Sequence, residues 1–151
     1  AGAPVRATGA VVPAVQDVFN RMQEHFDQCM VIIYADEKLT PWQWDSSWIL
    51  KFNAPPAIET AGASVFRIVL DSKGPYHGYV SPNEINDAFF QAWNQGRYPE
   101  HLTITPMLVQ NEVVGMLLGT TNRVRGAMVP LGLYQSVAIE LAQTLNLKAA
   151  A

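Results

Sequence analysis

The sequence is short of most features that announce a function. It holds one cysteine, Cys29, in 151 residues. That excludes an internal disulfide and a multi-cysteine metal site, and it fits a reducing, cytoplasmic setting. Charge is sparse, at 15% of residues, and the net charge is −3 with no basic stripe. Phosphate-dominated binding of nucleic acid is therefore not expected. No apolar run approaches the roughly 20 residues needed to span a bilayer, so no membrane partner is expected. No basic stretch followed by a long apolar core marks a signal peptide. His25, His77 and His101 share no metal-binding spacing. No metal or cofactor is expected from them. Ser64, Ser81 and Ser136 sit in no nucleophile-elbow context, and no glycine-rich phosphate loop is present.

What is present is apolar residue, 49% of the chain, enough for one domain with a proper core. The small-residue ends, Ala1–Pro4 and Ala149–Ala151, are set aside as a vector-derived or flexible arm and tail. We expect an arm over 1–12, a single domain over 13–147 and a tail over 148–151, the whole being one module of a longer protein. Pro13 opens a helix whose apolar stripe is Val15, Val18, Phe19, Met22 and Phe26. Met30–Ala35 reads as a buried strand and Asp36-Glu37-Lys38 as its turn. Trp42 and Trp44 alternate with polar neighbours, as on a half-exposed strand. The two prolines of Asn53–Pro56 require loop, and 45–63 is otherwise open between loop and edge strand.

Ser64–Leu70 reads as a strand that Asp71–Pro75 turns, with Tyr76–Val80 pairing back on it. Ser81-Pro82-Asn83-Glu84 has the form of a helix start, with Ser81 as cap, Pro82 in the first turn and Glu84 closing a capping box. Ile85, Phe89, Ala92 and Trp93 share a face of that helix, and Gly96 is a fitting stop. Leu102–Gly119 is the most regular stretch. Two apolar runs joined by Gln110-Asn111-Glu112 spell an antiparallel hairpin. Its Thr103, Thr105 and Met107 must face opposite to Ile104, Pro106 and Leu108, with either set able to meet the helices. Residues 120–126 read as polar loop or strand end. Pro130 opens a last helix with the stripe Leu131, Tyr134, Val137, Ala138, Leu141 and Leu145. Strands clustered between bracketing helices give an α+β domain with a central, mostly antiparallel sheet.

That order resembles a GAF domain, a small sensory and dimerisation module of signalling proteins. The resemblance is carried by the terminal helix pair, 13–26 and 130–145, and by the late hairpin. In that hairpin an apolar strand containing Pro106 leads through a polar turn to Val113-Val114-Gly115-Met116-Leu117. Gly115 inside a strand suits a bulge or a close backbone approach. The resemblance implies a sheet of about six antiparallel strands, the terminal helices on one face and a ligand cup on the other. A Roadblock-type or profilin-like sheet is the structural alternative. The Asn-Lys-Phe-Asp-Glu signature of cyclic-nucleotide binders is missing. The several cysteines of methionine sulfoxide reducers and a pigment-attachment cysteine in the cup region are missing too.

The expected function is a non-catalytic regulatory module working through protein–protein contact or homodimerisation within its parent protein. The alternative is a metabolite or nucleotide sensor with an aromatic cup. Trp44, Tyr76, His77, Tyr79, Phe89 and Trp93 are the candidate cup residues. Val15, Met22, Ile139 and Leu145 are the candidate interface residues of the terminal helices. Cys29 has Asp27, Gln28 and Met30 beside it and no cation, so a packed, inert thiol is expected. Arg123 and Arg125 alternate as a pair would for an anionic partner, with loop solvation the simpler account. An enzyme would have to be built on His77 and Cys29, and is the minority reading.

Overall fold

A computed structural model of the chain describes residues 11–45, 57–92, 99–121 and 129–148. Trp48, Trp93, Gly96, Arg123 and Arg125 lie outside the described residues. In chain order the elements are helix α1 (Pro13–Met22), strands β1 (Gln28–Ala35) and β2 (Lys38–Trp44), and helix α2 (Val65–Ser72). Strand β3 (Tyr76–Gly78), helix α3 (Glu84–Ala92), strands β4 (His101–Val109) and β5 (Glu112–Thr121) and helix α4 (Leu131–Thr144) follow. The strands form one antiparallel sheet in the order β2-β1-β5-β4-β3. The α+β architecture stands as expected, with five strands among the described residues rather than about six.

The two hairpins close through two-residue turns that match the sheet's twist. Asp36 and Glu37 take φ of +52° and +58°, and Gln110 and Asn111 take +53° and +62°. Paired left-handed residues make the turn type that keeps flanking strands in register. Each hairpin also carries one extra residue. In β2, Ile32 faces Pro41 and Val31 faces Gln43, so Trp42 bulges out of the ladder. Trp42 and Trp44 therefore land on opposite faces, and both are buried rather than half-exposed. In β5 the extra residue is Val114, beside Gly115. A Cβ on Gly115 would stand 2.6 Å from the Ile32 carbonyl oxygen. The close approach of β1 is the reason for glycine there.

The segment read as a strand over Ser64–Leu70 is helix α2. Ser64 caps it, accepting a hydrogen bond from the Arg67 N–H at 3.1 Å. Val65, Phe66, Val69 and Leu70 turn inward, and Arg67 pairs with Asp71 one turn on. That spacing is helical, and burial of the stripe outweighs the strand preference of its β-branched residues. With no strand there, Tyr76–Gly78 pairs with β4 instead. Helix α3 also starts later than the Ser81 signature implies. Asn83 is the cap, its Oδ1 accepting from the Asn86 N–H at 2.8 Å, so Pro82 precedes the helix. Helix α1 ends at Met22, and Phe26 reaches the same core from the following turn.

The sheet separates two apolar layers. Helices α1 and α4 cover one face with Val15, Phe19, Met22, Phe26, Tyr134 and Leu141 over Val31, Met107 and Leu117. Helices α2 and α3 cover the other with Phe66, Val69, Phe89 and Phe90 over Met30, Ile32, Ile104 and Leu118. Thr103, Thr105 and Met107 thus face the terminal helices, and Ile104 and Leu108 face α2 and α3. At the β2 edge, Leu39 makes an isolated bridge to Ile58.

Candidate functional site

An open cleft lies on the α2/α3 side. Residues 57–63 leave the β2 edge and run opposite α3, and a cleft of about 650 Å³ separates them. Small side chains make one wall, with Ala57, Ala61, Gly62 and Ala63. Ile58, Ile85 and Phe89 supply apolar surface, and Asn83, Glu84 and Glu59 supply polar atoms. Gly62 holds φ of +114°, and a Cβ there would meet the Ile85 methyl at 3.3 Å. Glycine thus lets the wall turn tightly against the helix. The described lining carries two carboxylates, one amide and no basic side chain. A second recess of about 300 Å³ adjoins it across Ala63 and Asn83, and is bordered by Arg67, Ile68, Asp71 and Tyr76.

Asn86 holds the two recesses together. It is 1% exposed. Its Nδ2 donates to the Ser81 carbonyl at 3.0 Å, and its Oδ1 accepts from the Val65 N–H at 3.4 Å. One buried amide therefore ties the start of α2, the approach to α3 and α3 itself. Asn83 and Asn86 were not singled out from the sequence. Their three-residue spacing is an asparagine cap pattern, masked there by the better-known Ser-Pro start.

The expected cup residues are divided between places. Phe89 is buried and lines the cleft, edge-on to Phe66 and Phe90 at 5.2 and 4.9 Å. Trp44 is buried in the core beneath α2 and α3, and half-buried Tyr76 packs on that core. The Tyr76 hydroxyl donates to the Tyr79 carbonyl. His77 points to the opposite face of the sheet, where its Nδ1 hydrogen bonds Thr103 Oγ1 at 2.7 Å. Tyr79 is exposed, its ring 4.9 Å from that of His101. Trp93 lies outside the described residues.

The expected interface residues are divided too. Val15 and Met22 are buried between the terminal helices and the sheet. Leu145 is half-buried, and Ile139 and Leu133 are exposed on α4. A groove of about 170 Å³ between α1 and α4 is edged by Asp17, Arg21 and Glu140.

Beneath these helices is a row of polar groups. Burial, then Asp45, then Asp27 push the Cys29 thiol well above its ordinary range, so it stays protonated. That is the wrong direction for a nucleophile. Burial raises the Tyr134 hydroxyl to about 12, and this hydroxyl hydrogen bonds His25 Nδ1 at 2.8 Å. Among the described residues, no group of three or more His, Cys, Asp or Glu side chains is placed to hold a metal ion. No helix among them is long and apolar enough to cross a membrane.

No protein-family model and no curated protein matches the chain. Solved structures do. The GAF domain of a two-component sensor histidine kinase from Bacillus halodurans matches with a TM-score of 0.59 at 16% identity, over 91% of this chain and 98% of that one. A GAF domain from A. aeolicus, solved in an inactive state, matches at 0.61 and 16% identity, over 92% and 89%. A free methionine-R-sulfoxide reductase from Thermoplasma acidophilum matches at 0.61 and 13%, over 88% of each. At these identities the likeness is one of fold, and with the helix pair, the sheet order and the bulged late hairpin it gives one conclusion: the chain has a GAF-like fold.

Proposed function

We propose that this domain is a non-catalytic sensory module that takes a small, predominantly apolar ligand in the cleft between residues 57–63 and α3, and passes the binding state to other domains of its parent protein. The cleft carries the reading. About 650 Å³ suits a metabolite-sized molecule, and the lining joins apolar surface to a few polar groups. Glu59 and Glu84 at the walls favour a neutral or cationic ligand such as an organic amine over a phosphate or nucleotide. Similarity in fold to sensor-kinase GAF domains supports the signalling role, and a cytoplasmic placement belongs to the same reading. Similarity to a sulfoxide reductase keeps an enzyme as the rival, and the protonated, buried Cys29 argues against it.

The test is a binding screen of neutral aromatics, organic amines and nucleotides, read by thermal shift. Amines or neutral aromatics are expected to raise the melting temperature of the wild type. Ala88→Trp, which places an indole in the cleft, is expected to abolish the rise. A wild type that responds to none of them, or only to nucleotides, overturns the reading.

Homodimerisation through the terminal helices is the second reading, favoured by the exposure of Leu133 (52%) and Ile139 (38%) on α4. Sedimentation equilibrium decides it. A monomer at high micromolar concentration removes it.

A further inference from the structure

The face of β3 turned away from the cleft carries a cluster that the proposed function does not use. His77 on β3 and His101 on β4 stack nearly parallel, with ring centres 5.8 Å apart and planes 13° apart. Thr103, 2% exposed, fixes the His77 ring through Nδ1. The Nδ1 of His101 is buried with no hydrogen-bond partner among the described residues. Tyr79 closes over His101. Strand β3 is three residues long and, among the described residues, pairs with β4 alone at the edge of the sheet. Two stacked imidazoles are compatible with this packing while both are neutral.

We propose that the His77–His101 pair is an acid-released latch: protonation frees β3 from the sheet edge and loosens the segment from Tyr79 to Asn86 that carries the cap of α3.

Three observations support it. First, a proton on either ring places a cation beside the other imidazole in a partly dry site. Among the described residues, the titratable groups in ring contact with the pair are each ring for the other, from β3 and β4, and Tyr79 from the continuation of β3. Glu100 precedes His101 in the chain, with contacts of its own. The helix over β4 on this face, α4, bears a single charged residue, Glu140, and that lies in the groove beside α1.

Second, burial and then the neighbouring His101 hold His77 below the ordinary histidine range. A base whose folded pKa is depressed binds fewer protons folded than unfolded. Stability is therefore full above the unfolded value and is lost as pH falls below it toward the folded one. Third, β3 leads without a break into Ser81, whose carbonyl holds Asn86, and into Asn83, which caps α3 and borders the cleft. The latch stands without the cleft reading, and only a consequence for ligand rests on it.

Amide hydrogen exchange of the wild type at pH 7.5 and 5.5, corrected for intrinsic rates, tests both parts. Protection over 76–78 and at the Asn86 amide is expected to fall about fivefold or more at the lower pH, with β1 and β5 unchanged. The double variant His77→Gln, His101→Gln is expected to lose that pH dependence. Equal protection at both pH values, or the same loss in the double variant, overturns the latch. A loss at 76–78 with Asn86 unmoved overturns the relay to α3. Should the double variant fail to fold, the imidazole NMR titration of the wild type decides. A His77 transition below that of free histidine is expected, and a His77 ring titrating like free histidine overturns the proposal.

Discussion

Both faces of the sheet are covered by helices and packed with aliphatic and aromatic side chains, yet they close differently. On one, α1 and α4 lie over the sheet, and Phe19, Met22 and Phe26 fill the space down to a polar row of Cys29, Thr103 and Thr105. On the other, helices α2 and α3 cover Met30, Ile32 and Ile104, and a cleft remains beside them. Helix length explains part of the contrast. Helix α4 spans 14 residues, while α2 spans 8, and α2 and α3 depend on Ser64 and Asn83 caps and the Asn86 amide for their position. Short elements pinned by a few polar bonds leave room for a guest. The polar groups that fix this face are also the ones whose loss would reshape it.

Matched truncations test that difference most strongly. Phe19→Ala, on the closed face, should cost about 4 kcal/mol in urea unfolding, because nothing is placed to refill the void. Phe89→Ala, beside the cleft, should cost less, about 3 kcal/mol, since its void opens to solvent. Equal losses would break the contrast. Next in size is Gly115→Ala, where a methyl meets the Ile32 carbonyl oxygen at 2.6 Å. A loss of about 2 kcal/mol is expected, and it should be the same with or without cleft ligand because it strikes the sheet between the faces. Ser64→Ala removes the α2 cap and should cost about 1 kcal/mol, with exchange rising at the Arg67 amide and not in α4.

The smallest effect at neutral pH belongs to Tyr134. Its hydroxyl is raised from 10 to about 12, so its neutral form is favoured when folded. The stability it brings is full below pH 10 and falls as pH climbs through the folded value. Urea midpoints between pH 9 and pH 12 should drop for the wild type more steeply than for Tyr134→Phe, and parallel curves would sink the claim.

Much of this layout was legible in the sequence, and the reasons differ by element. Hairpins β1–β2 and β4–β5 are local events, set by Asp36-Glu37 and Gln110-Asn111 between apolar runs. The stripes of α1 and α4 carry a plain helical period. Helix α2 was misread because Val65, Ile68 and Val69 suit a strand, whereas the Ser64 cap and the Arg67–Asp71 spacing that fit a helix are weaker signals. The bulge at Trp42 has no local signature, so the two tryptophans could not be assigned to opposite faces. The candidate site was least legible. Its 57–63 wall is mostly alanine and glycine, which mark space rather than chemistry. His77 and His101 meet only because β3 crosses over to pair with β4, a tertiary choice that neither segment encodes alone.

The sheet order has a further consequence, for how the chain comes together in time. Strand β5 is the last strand described in the chain, and it lies at the middle of the sheet between β1 and β4. During synthesis the β1–β2 hairpin emerges early with one side of β1 unpaired, and it must wait for Gly115–Thr120 before that edge is sealed. Nearly the whole domain therefore has to leave the ribosome before its sheet is continuous. Such long-range pairing slows folding and leaves a nascent edge exposed to other chains. A fragment ending before β5 would keep both outer parts of the sheet and have nothing to join them.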